Sequence, residues 1–270
     1  RCFTPSDIIN SKTADSSLMA FLWLAMESDC SAVVCGNTGS GKTTTLNALF
    51  AFVPEAERIV ITEETPEIAL PQKHIVRLAC CEELGIGMQQ LIVNTLRMRP
   101  DRVIVGEMRN AEEVAAFMDT LLAGQGKASY ATFHAASAGE ALTRLARLGV
   151  SELDLEAVDL VLVQKRWTKA DIPTGARQEL RRIVEVAEVL NKNGKAALNM
   201  LYRYDYENGS LERVGESTRA KIKMMRTFGL NEKKLAHEEK RRKAILEKFC
   251  RIKPDMNEFF AEINRGTKLV

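Results

Sequence analysis

The sequence has no long apolar run. No uninterrupted apolar stretch approaches the roughly 18 residues that a membrane-spanning helix needs, and no signal-peptide pattern follows Arg1. The absence of such a run excludes a membrane-spanning helix from the predicted fold.

The cysteines lack the spacing of a metal site or a redox motif. None of the six forms a C-x-x-C pair, and the neighbours Cys80 and Cys81 are not spaced like zinc ligands. This pattern excludes a zinc ribbon and a thioredoxin-like motif. A reduced, cytosolic environment is the simplest account of the cysteines.

The chain also lacks a strong excess of either charge. Its formal net charge is +2, so overall electrostatics require neither nucleic acid nor a membrane as a partner. With 46% apolar and 27% charged residues over 270 positions, the chain can bury a sizeable core instead of remaining disordered.

What is present, from about residue 17 to 147, is an alternation of short β-rich runs and helical patterns. This alternation is typical of βαβ units and predicts a mainly parallel sheet covered on both faces. We predict strands at residues 32–35, 58–62, 74–78, 102–106 and 128–133, and helices near 42–52, 87–98, 111–123 and 137–148.

The pattern changes after residue 160. Longer alternating runs at 160–167, 178–190 and 198–206, separated by turn-forming residues at 172–175 and 191–194, predict antiparallel hairpins that extend the sheet. Residues 217–265 predict two or three helices with breaks near Gly229 and Pro254. We therefore expect a core over residues 1–210 and a C-terminal helical subdomain over 211–270 that packs on it.

A phosphate-binding loop follows the first predicted strand and directly precedes a helix, which is the context that the motif G-x-x-x-x-G-K-[ST] requires. Its backbone N–H groups would converge on phosphate oxygens, as would the start of the helix. Lys42 would contact the β- and γ-phosphates, and Thr43 would ligate magnesium. The predicted nucleotide-binding residues are Gly36, Asn37, Thr38, Gly39, Ser40, Gly41, Lys42, Thr43 and Thr44.

Two predicted strands end in carboxylates. The run 102–106 leads into Glu107, and the run 58–62 leads into an acidic turn that contains Glu63, Glu64 and Glu67. Attack of water on a γ-phosphate needs positioning and charge neutralisation more than covalent chemistry. The two acidic strand ends therefore predict a magnesium site and a base that activates water.

His134 follows the fifth predicted strand and is one of only three histidines. Alone, a histidine is more often structural, but at the end of a strand beside a nucleotide site it is a candidate sensor of the γ-phosphate. Five arginines lie on or beside the same segments, and each is either solvated or a contact to the nucleotide: Arg77, Arg97, Arg99, Arg109 and Arg144.

Together, the order of the phosphate loop, the acidic turn 63–67, the segment 97–109 and the segment 132–135 resembles the superfamily of secretion, pilus and archaellum ATPases. In this family the acidic turn is the aspartate box, the Gly-Glu-Met-Arg segment ending at Arg109 is the Walker B element, and a histidine box follows. The resemblance is strongest over residues 3–150 and implies a RecA-like P-loop NTPase core.

The resemblance assigns roles to these residues. Glu107 corresponds to the Walker B carboxylate and, with Thr43, to the magnesium ligands. Glu67 corresponds to the glutamate that activates water, supported by Glu63, and His134 to the histidine-box residue. Arg109 completes the predicted catalytic set, with ATP or ADP and Mg²⁺ as the bound groups.

Two positions depart from the family pattern. Glu64 stands where the family usually has Asp, and Lys127 stands where an earlier histidine is common. Residues 3–8 and 241–247 resemble the archaeal branch of the family, as does the lack of a four-cysteine insertion.

A second class of function is a RecA-like DNA or RNA translocase, because helicases use the same loop and strand carboxylate. Residues 217–250 carry eleven Lys or Arg against four Asp or Glu, and basic helices can follow a phosphate backbone. The segment has no series of aromatic residues for base stacking, and Leu235, Ile245, Leu246 and Phe249 suit a packed amphipathic helix. We favour a solvated helix face, with docking on an acidic or lipid-proximal part of a membrane machine as the alternative. Nucleic acid is not an expected partner.

The resemblance also implies partners. Family members form hexameric rings at the cytoplasmic face of the membrane and act on an inner-membrane platform protein. Their ATPase core follows a separate N-terminal domain, which helps to complete the nucleotide pocket. We therefore expect this chain alone to be monomeric and slow to hydrolyse ATP, and we expect the full-length protein to be a ring.

Overall fold

A computed structural model describes residues 2–124, 126–171 and 173–266. Within this part the chain forms one nine-stranded sheet. The strands are β1 (Ala32–Gly36), β2 (Ile59–Glu63), β3 (Ile75–Ala79), β4 (Arg102–Met108), β5 (Ala128–Phe133), β6 (Leu160–Ala170), β7 (Arg177–Lys192), β8 (Lys195–Asp205) and β9 (Ser210–Arg213).

Helices pack on the sheet, and the last three helices follow its final strand. The helices are α1 (Pro5–Asn10), α2 (Ser16–Glu27), α3 (Lys42–Phe50), α4 (Met88–Thr95), α5 (Ala111–Leu122), α6 (Ala138–Arg147), α7 (Arg219–Phe228), α8 (Glu232–Ile252) and α9 (Met256–Gly266). None of the helices in the described ranges is long and apolar enough to cross a membrane.

The strand order is β3-β2-β4-β5-β1-β6-β7-β8-β9. The first six strands in this order run parallel, and β7, β8 and β9 continue the sheet with antiparallel pairs. Strand β5 lies between β1 and β4. This arrangement gathers the carboxyl ends of β1, β2, β4 and β5 at one edge, the edge where ligands bind in open parallel sheets.

Two buried clusters pack on the two faces of the sheet. Neighbouring strand residues alternate between them, since Val34 and Ile104 belong to one cluster and Val33 and Val103 to the other. Alternation of this kind follows from the two-residue period of a strand and requires cover on both faces. The predicted α/β fold with a mainly parallel sheet is confirmed.

The predicted strands of the core lie within two residues of the observed ones. Strands β2 and β3 start and end one residue later than predicted, and β4 extends to Met108. Strand β6 is parallel to β1 on one side and antiparallel to β7 on the other, so it joins the core to the hairpin extension. Ile172 of the predicted turn lies outside the described residues.

The C-terminal helices break near the two positions that the sequence predicts, and α7 and α8 pack on α2. Helix α7 ends at Phe228 because the next residue, Gly229, adopts a left-handed conformation with a φ of 61°. Helix α8 ends at Ile252, two residues before Pro254. Leu235, Leu246 and Phe249 are buried in the cluster that also contains α2. The amphipathic interpretation of α8 is therefore confirmed.

Candidate nucleotide site

The phosphate loop connects β1 to α3 with glycines where other residues would not fit. Gly36 has a φ of 153°, and a Cβ placed on it would overlap the carbonyl oxygen of Gln164. Gly41 caps α3 with a φ of 98°. Because these two positions exclude side chains, the loop backbone can curl tightly into the start of α3.

Gln164 fixes the loop to the neighbouring strand. It lies opposite Gly36 in the β1–β6 register and is 2% exposed. Its Nε2 donates to the carbonyl oxygen of Ser40 at 2.8 Å, and its Oε1 accepts from the hydroxyl of Thr45 at 2.7 Å. The sequence analysis missed this residue, although a glutamine inside the apolar run of β6 is the signal that could have found it.

Lys42 projects from the first turn of α3 into the cleft. Its Nζ donates to the carbonyl oxygen of Gly36 at 3.0 Å and lies 4.0 Å from Oε1 of Glu107. Burial lowers the pKa of Lys42, while the Glu107 charge acts against that shift. A cation and a carboxylate thus face each other across the site.

Glu107, near the end of β4, is held by two basic side chains. The Nε of Arg109 donates to its Oε2 at 2.7 Å, and Nε2 of His134 lies 2.8 Å from its Oε1. Burial alone would raise the pKa of Glu107, but the hydrogen bond from Arg109 and the charges of His134, Arg109 and Lys42 hold this pKa below its ordinary value. The carboxylate is therefore kept ionised.

The acidic turn after β2 is organised by Glu63. This side chain is 4% exposed, and its Oε1 accepts from the backbone N–H groups of Glu67 and Ile68, each at 2.8 Å. Arg77 lies 3.5 Å from the other oxygen of Glu63 and donates to the carbonyl of Ile68. Glu67 itself is exposed and lines the cleft.

One cavity of about 1000 Å³ brings most of the predicted residues together. The loop residues Gly36, Asn37 and Ser40 do not line it. Those that do are Thr38, Gly39, Gly41, Lys42, Thr43, Thr44, Glu63, Glu67, Glu107, Arg109 and His134.

The other predicted arginines divide into two groups. Arg144 donates to the carbonyl of His134, and its guanidinium carbon lies 5.3 Å from the ring centre of Phe133. Arg144 therefore holds the backbone of His134 in place. Arg97 and Arg99 are exposed and do not line the cleft.

The β6–β7 hairpin adds charged residues that the sequence analysis did not select. Arg181 lines the cleft, and its Nε donates to the carbonyl oxygen of Gly39 at 3.0 Å. Glu179 binds Arg181 at 2.8 Å and accepts from Nε of Arg166 at 2.7 Å. Phe3 and other N-terminal residues also line the cleft, and the carbonyl of Ser11 accepts a hydrogen bond from Arg182 of the same hairpin at 3.1 Å.

The two departures from the family pattern lie in different places. Glu64 accepts a hydrogen bond from Nη1 of Arg109 at 2.6 Å, so it joins the cleft network. Lys127 pairs instead with Glu57 at 2.7 Å, and Glu57 also binds the buried Arg102 at 2.6 Å. Lys127 precedes β5 and lies at the opposite end of that strand from His134, so it is not part of the cleft.

Comparison with known proteins agrees with these observations. The model of the family "Type II/IV secretion system protein" matches residues 3–261. An uncharacterized protein of Methanocaldococcus jannaschii is 30% identical over 267 residues, covering 96% of this chain and 96% of that protein.

Bacterial relatives match a smaller part of the chain. VirB11 of Agrobacterium tumefaciens is 31% identical over 64% of this chain. The crystal structure of the VirB11 ATPase from the Brucella suis type IV secretion system, in complex with sulphate, is 29% identical over 63% of this chain, with a TM-score of 0.52. The matched region spans 52% of each of these two proteins.

These matches confirm the family resemblance and the prediction of an ATPase. The family model covers nearly all of the chain, and the archaeal relative matches over almost its entire length. The chain therefore belongs to the type II/IV secretion system protein family.

Proposed function

We propose that this chain is the motor of a secretion, type IV pilus or archaellum machine, in which it couples hydrolysis of Mg-ATP to movement of subunits in a hexameric ring. The observation that carries the proposal is the convergence, in one cleft, of a phosphate loop, Lys42, two acidic strand ends and His134. These are the parts that hydrolysis of a phosphoanhydride needs.

The loop and Lys42 bind the phosphates of ATP. The backbone N–H groups at the start of α3 point toward the cleft, where the helix dipole also favours an anion. Lys42 supplies a cation that is already buried and fixed by the carbonyl of Gly36. When a nucleotide binds, the ammonium group exchanges this carbonyl for β- and γ-phosphate oxygens.

The residues of the cleft fit a magnesium ion. Mg²⁺ prefers hard oxygen ligands and commonly takes only one or two from the protein, with phosphates and water completing its shell. The hydroxyl of Thr43 and the ionised carboxylate of Glu107 line the same cavity. When bound, the ion neutralises the charge that accumulates on the phosphates.

Glu67 is the base that accepts a proton from the attacking water. Its backbone is anchored by Glu63, whereas its side chain is exposed and makes no hydrogen bond or ion pair with any residue in the described ranges. The side chain is thus free to take up a water molecule. Glu63 positions the turn and does not act on the water, because its own oxygens are engaged.

His134 is the sensor of the γ-phosphate, and it links the γ-phosphate to Glu107. Its Nε2 lies 2.8 Å from Oε1 of Glu107, and its side chain is 34% exposed at the cleft. A structure with an ATP analogue should place the imidazole within hydrogen-bonding reach of the γ-phosphate, directly or through water. An imidazole that points away from the phosphates in that structure would show that His134 does not sense the γ-phosphate.

The ring, the membrane platform partner and the location at the cytoplasmic face are carried over from the resemblance to secretion ATPases. The Brucella VirB11 ATPase serves a type IV secretion system, and the Methanocaldococcus relative supports the archaeal branch. An ATP analogue should convert the full-length protein into hexamers in electron micrographs, and a Lys42→Ala gene should fail to restore secretion or surface filaments. A normal phenotype with the Lys42→Ala gene would refute the proposed motor.

The rival function, a nucleic-acid translocase, predicts a different result. Single-stranded DNA should then stimulate ATP hydrolysis several-fold in low salt. We expect no stimulation.

A further inference from the structure

A second cavity, of about 590 Å³, shares no lining residue with the nucleotide cleft. Its walls include Glu27, the last residue of α2, and Pro54, which follows α3. Both residues precede the start of a strand, so the cavity lies at the amino ends of the strands, whereas the nucleotide cleft lies at their carboxyl ends. We call this cavity the α8 pocket, because α8 supplies much of its wall.

The inside of the α8 pocket is apolar. Phe52, Phe228, Leu230 and Ile263 line it. The ring of Phe52 stacks on Trp23 with centroids 5.1 Å apart, so one of its faces is already covered. The pocket has the size and apolar character of sites that take up a few large side chains or a small organic molecule.

A buried arginine makes the wall of the pocket rigid. Arg242 is 3% exposed, and its guanidinium lies 4.7 Å from the ring centre of Trp23 and 5.2 Å from that of Phe228. Its Nη2 pairs with Glu27 at 2.6 Å and its Nε with Glu238 at 2.9 Å. A wall fixed in this way loses little conformational freedom when a partner binds.

The mouth of the pocket is positively charged. Lys233, His237 and Arg241 follow one another at intervals of four residues, which places them on one face of α8. Lys233 and Lys234 are exposed and make no ion pair with any residue that the structure describes. The two carboxylates of the lining, Glu27 and Glu238, are already neutralised by arginines. The lysines are therefore an uncompensated positive rim around an apolar interior.

We propose that the α8 pocket binds an acidic peptide segment of a partner protein. A large apolar side chain of the segment enters the pocket, and neighbouring Asp or Glu residues contact Lys233 and Lys234. Such an arrangement of a buried apolar anchor with a charged rim is typical of protein interfaces.

Nucleic acid fits the same surface less well. Base stacking needs free aromatic faces, but Trp23 and Phe52 are buried against each other, and the ring of Phe228 lies against Arg242. A phosphate backbone also has no group to fill an apolar cavity. We therefore do not propose nucleic acid as the ligand of this pocket, and binding of nucleic acid is one of the results that the test can detect.

The test is selection of random short peptides on phage against the purified chain. We expect the selected peptides to combine Asp or Glu with a Leu, Ile, Met or Phe. The double variant Lys233→Glu with Lys234→Glu should weaken binding of the selected peptides at least about tenfold, and Leu230→Ser should weaken it through loss of the apolar wall. Binding should also weaken as salt is raised.

A matched control variant is available on the same helix. Lys248→Glu with Arg251→Glu makes the same charge change on exposed residues that do not line the pocket. This control should bind the peptides as the parent does, and both double variants should keep the parental rate of ATP hydrolysis.

Three results would overturn the proposal. The first is selection that yields no acidic apolar peptides. The second is equal loss of binding in both double variants, which would show general attraction of charge. The third is tight binding of a single-stranded DNA oligonucleotide that depends on Lys233 and Lys234 and displaces the peptides.

Discussion

Glu63 and Glu67 lie four residues apart on one acidic turn, yet their surroundings differ. Glu63 is buried and accepts two backbone N–H groups, whereas Glu67 is exposed on the cleft. A carboxylate whose oxygens already accept hydrogen bonds stabilises the local backbone. A carboxylate that faces solvent beside a phosphate site can accept a proton from water. On this difference we propose Glu67, and not Glu63, as the catalytic base.

Glu67→Gln should still bind ATP but hydrolyse it about 10²–10⁴-fold more slowly, because a positioned proton acceptor contributes about that factor. The measurement is turnover together with nucleotide affinity. The matched variant Glu63→Gln should lower thermal stability as well as activity, since it weakens the bonds that order the turn. Parental turnover in Glu67→Gln would move the role of base to Glu63 or Glu64.

Glu107 should make the stability of the fold depend on pH. Its pKa in the folded chain is below the ordinary value of 4.5, so its ionised form stabilises the fold above that value and this contribution is lost as the pH falls through the folded pKa. The Tm difference between the parent and Glu107→Gln should be largest near neutral pH and shrink below about pH 4.5. Glu83→Gln, an exposed control, should show no such trend, and a constant difference for Glu107→Gln would contradict the account.

At the scale of elements, the phosphate loop depends on the strand beside it. Gly36 and Gln164 lie opposite each other in the β1–β6 register, and any side chain on Gly36 would overlap the backbone of Gln164. The loop therefore needs both its own glycines and the position of β6.

Gly36→Ala should destabilise the chain by about 3 kcal/mol or more and abolish nucleotide binding, because it combines steric overlap with a backbone angle that favours glycine. Gly85→Ala is the matched control. Gly85 has a φ of 64°, but among the residues that the structure describes no atom lies within 4 Å of an added Cβ. This substitution should therefore cost only about 1 kcal/mol. Chemical denaturation measures both, and equal effects would show that the close approach of β6 is unimportant.

The β6–β7 hairpin contributes Arg181 to the cleft. Arg181→Ala should weaken ATP affinity about tenfold, since it removes a cation that lies against the phosphate loop. Arg177→Ala, on the same strand but outside the cleft, should bind ATP like the parent. Nucleotide titration distinguishes the two, and unchanged affinity in Arg181→Ala would show that the arginine only braces the loop.

The elements differ in how well the sequence predicted them. Strands β1, β2 and β4 carry apolar runs that end at or next to Gly or acidic residues, and these local signals predicted their positions to within two residues. Helix α2 was not predicted, because nine of its residues, Leu18 to Met26, are all buried, and a helix buried on every side shows no amphipathic period. Strand β9 was missed because it has only four residues.

The same distinction applies to the cleft. Lys42, Glu67, Glu107 and His134 stand in local motifs, so their positions could be predicted from sequence. Gln164, Glu179 and Arg181 reach the cleft only because β6 pairs with β1 over a separation of more than a hundred residues. The glutamine inside the apolar run of β6 marks Gln164 as unusual, but no local pattern encodes which loop it contacts.

At the scale of the whole molecule, the two cavities lie at opposite ends of the sheet. The nucleotide cleft is bounded by the carboxyl ends of the strands, and the α8 pocket by residues that precede the strands. Helix α2 packs against α8, whose residues line the α8 pocket. The nucleotide cleft and the proposed partner site are therefore separate surfaces of one fold.

The most direct test of the central claim is hydrolysis of labelled ATP in a single turnover, with the protein in excess. This design detects a slow intrinsic rate that steady-state assays miss. We predict release of phosphate that needs magnesium, stops when the metal is chelated, and is absent in Lys42→Ala although that variant remains folded. Intact ATP in the parent at saturating magnesium, or equal hydrolysis by parent and Lys42→Ala, would contradict the account.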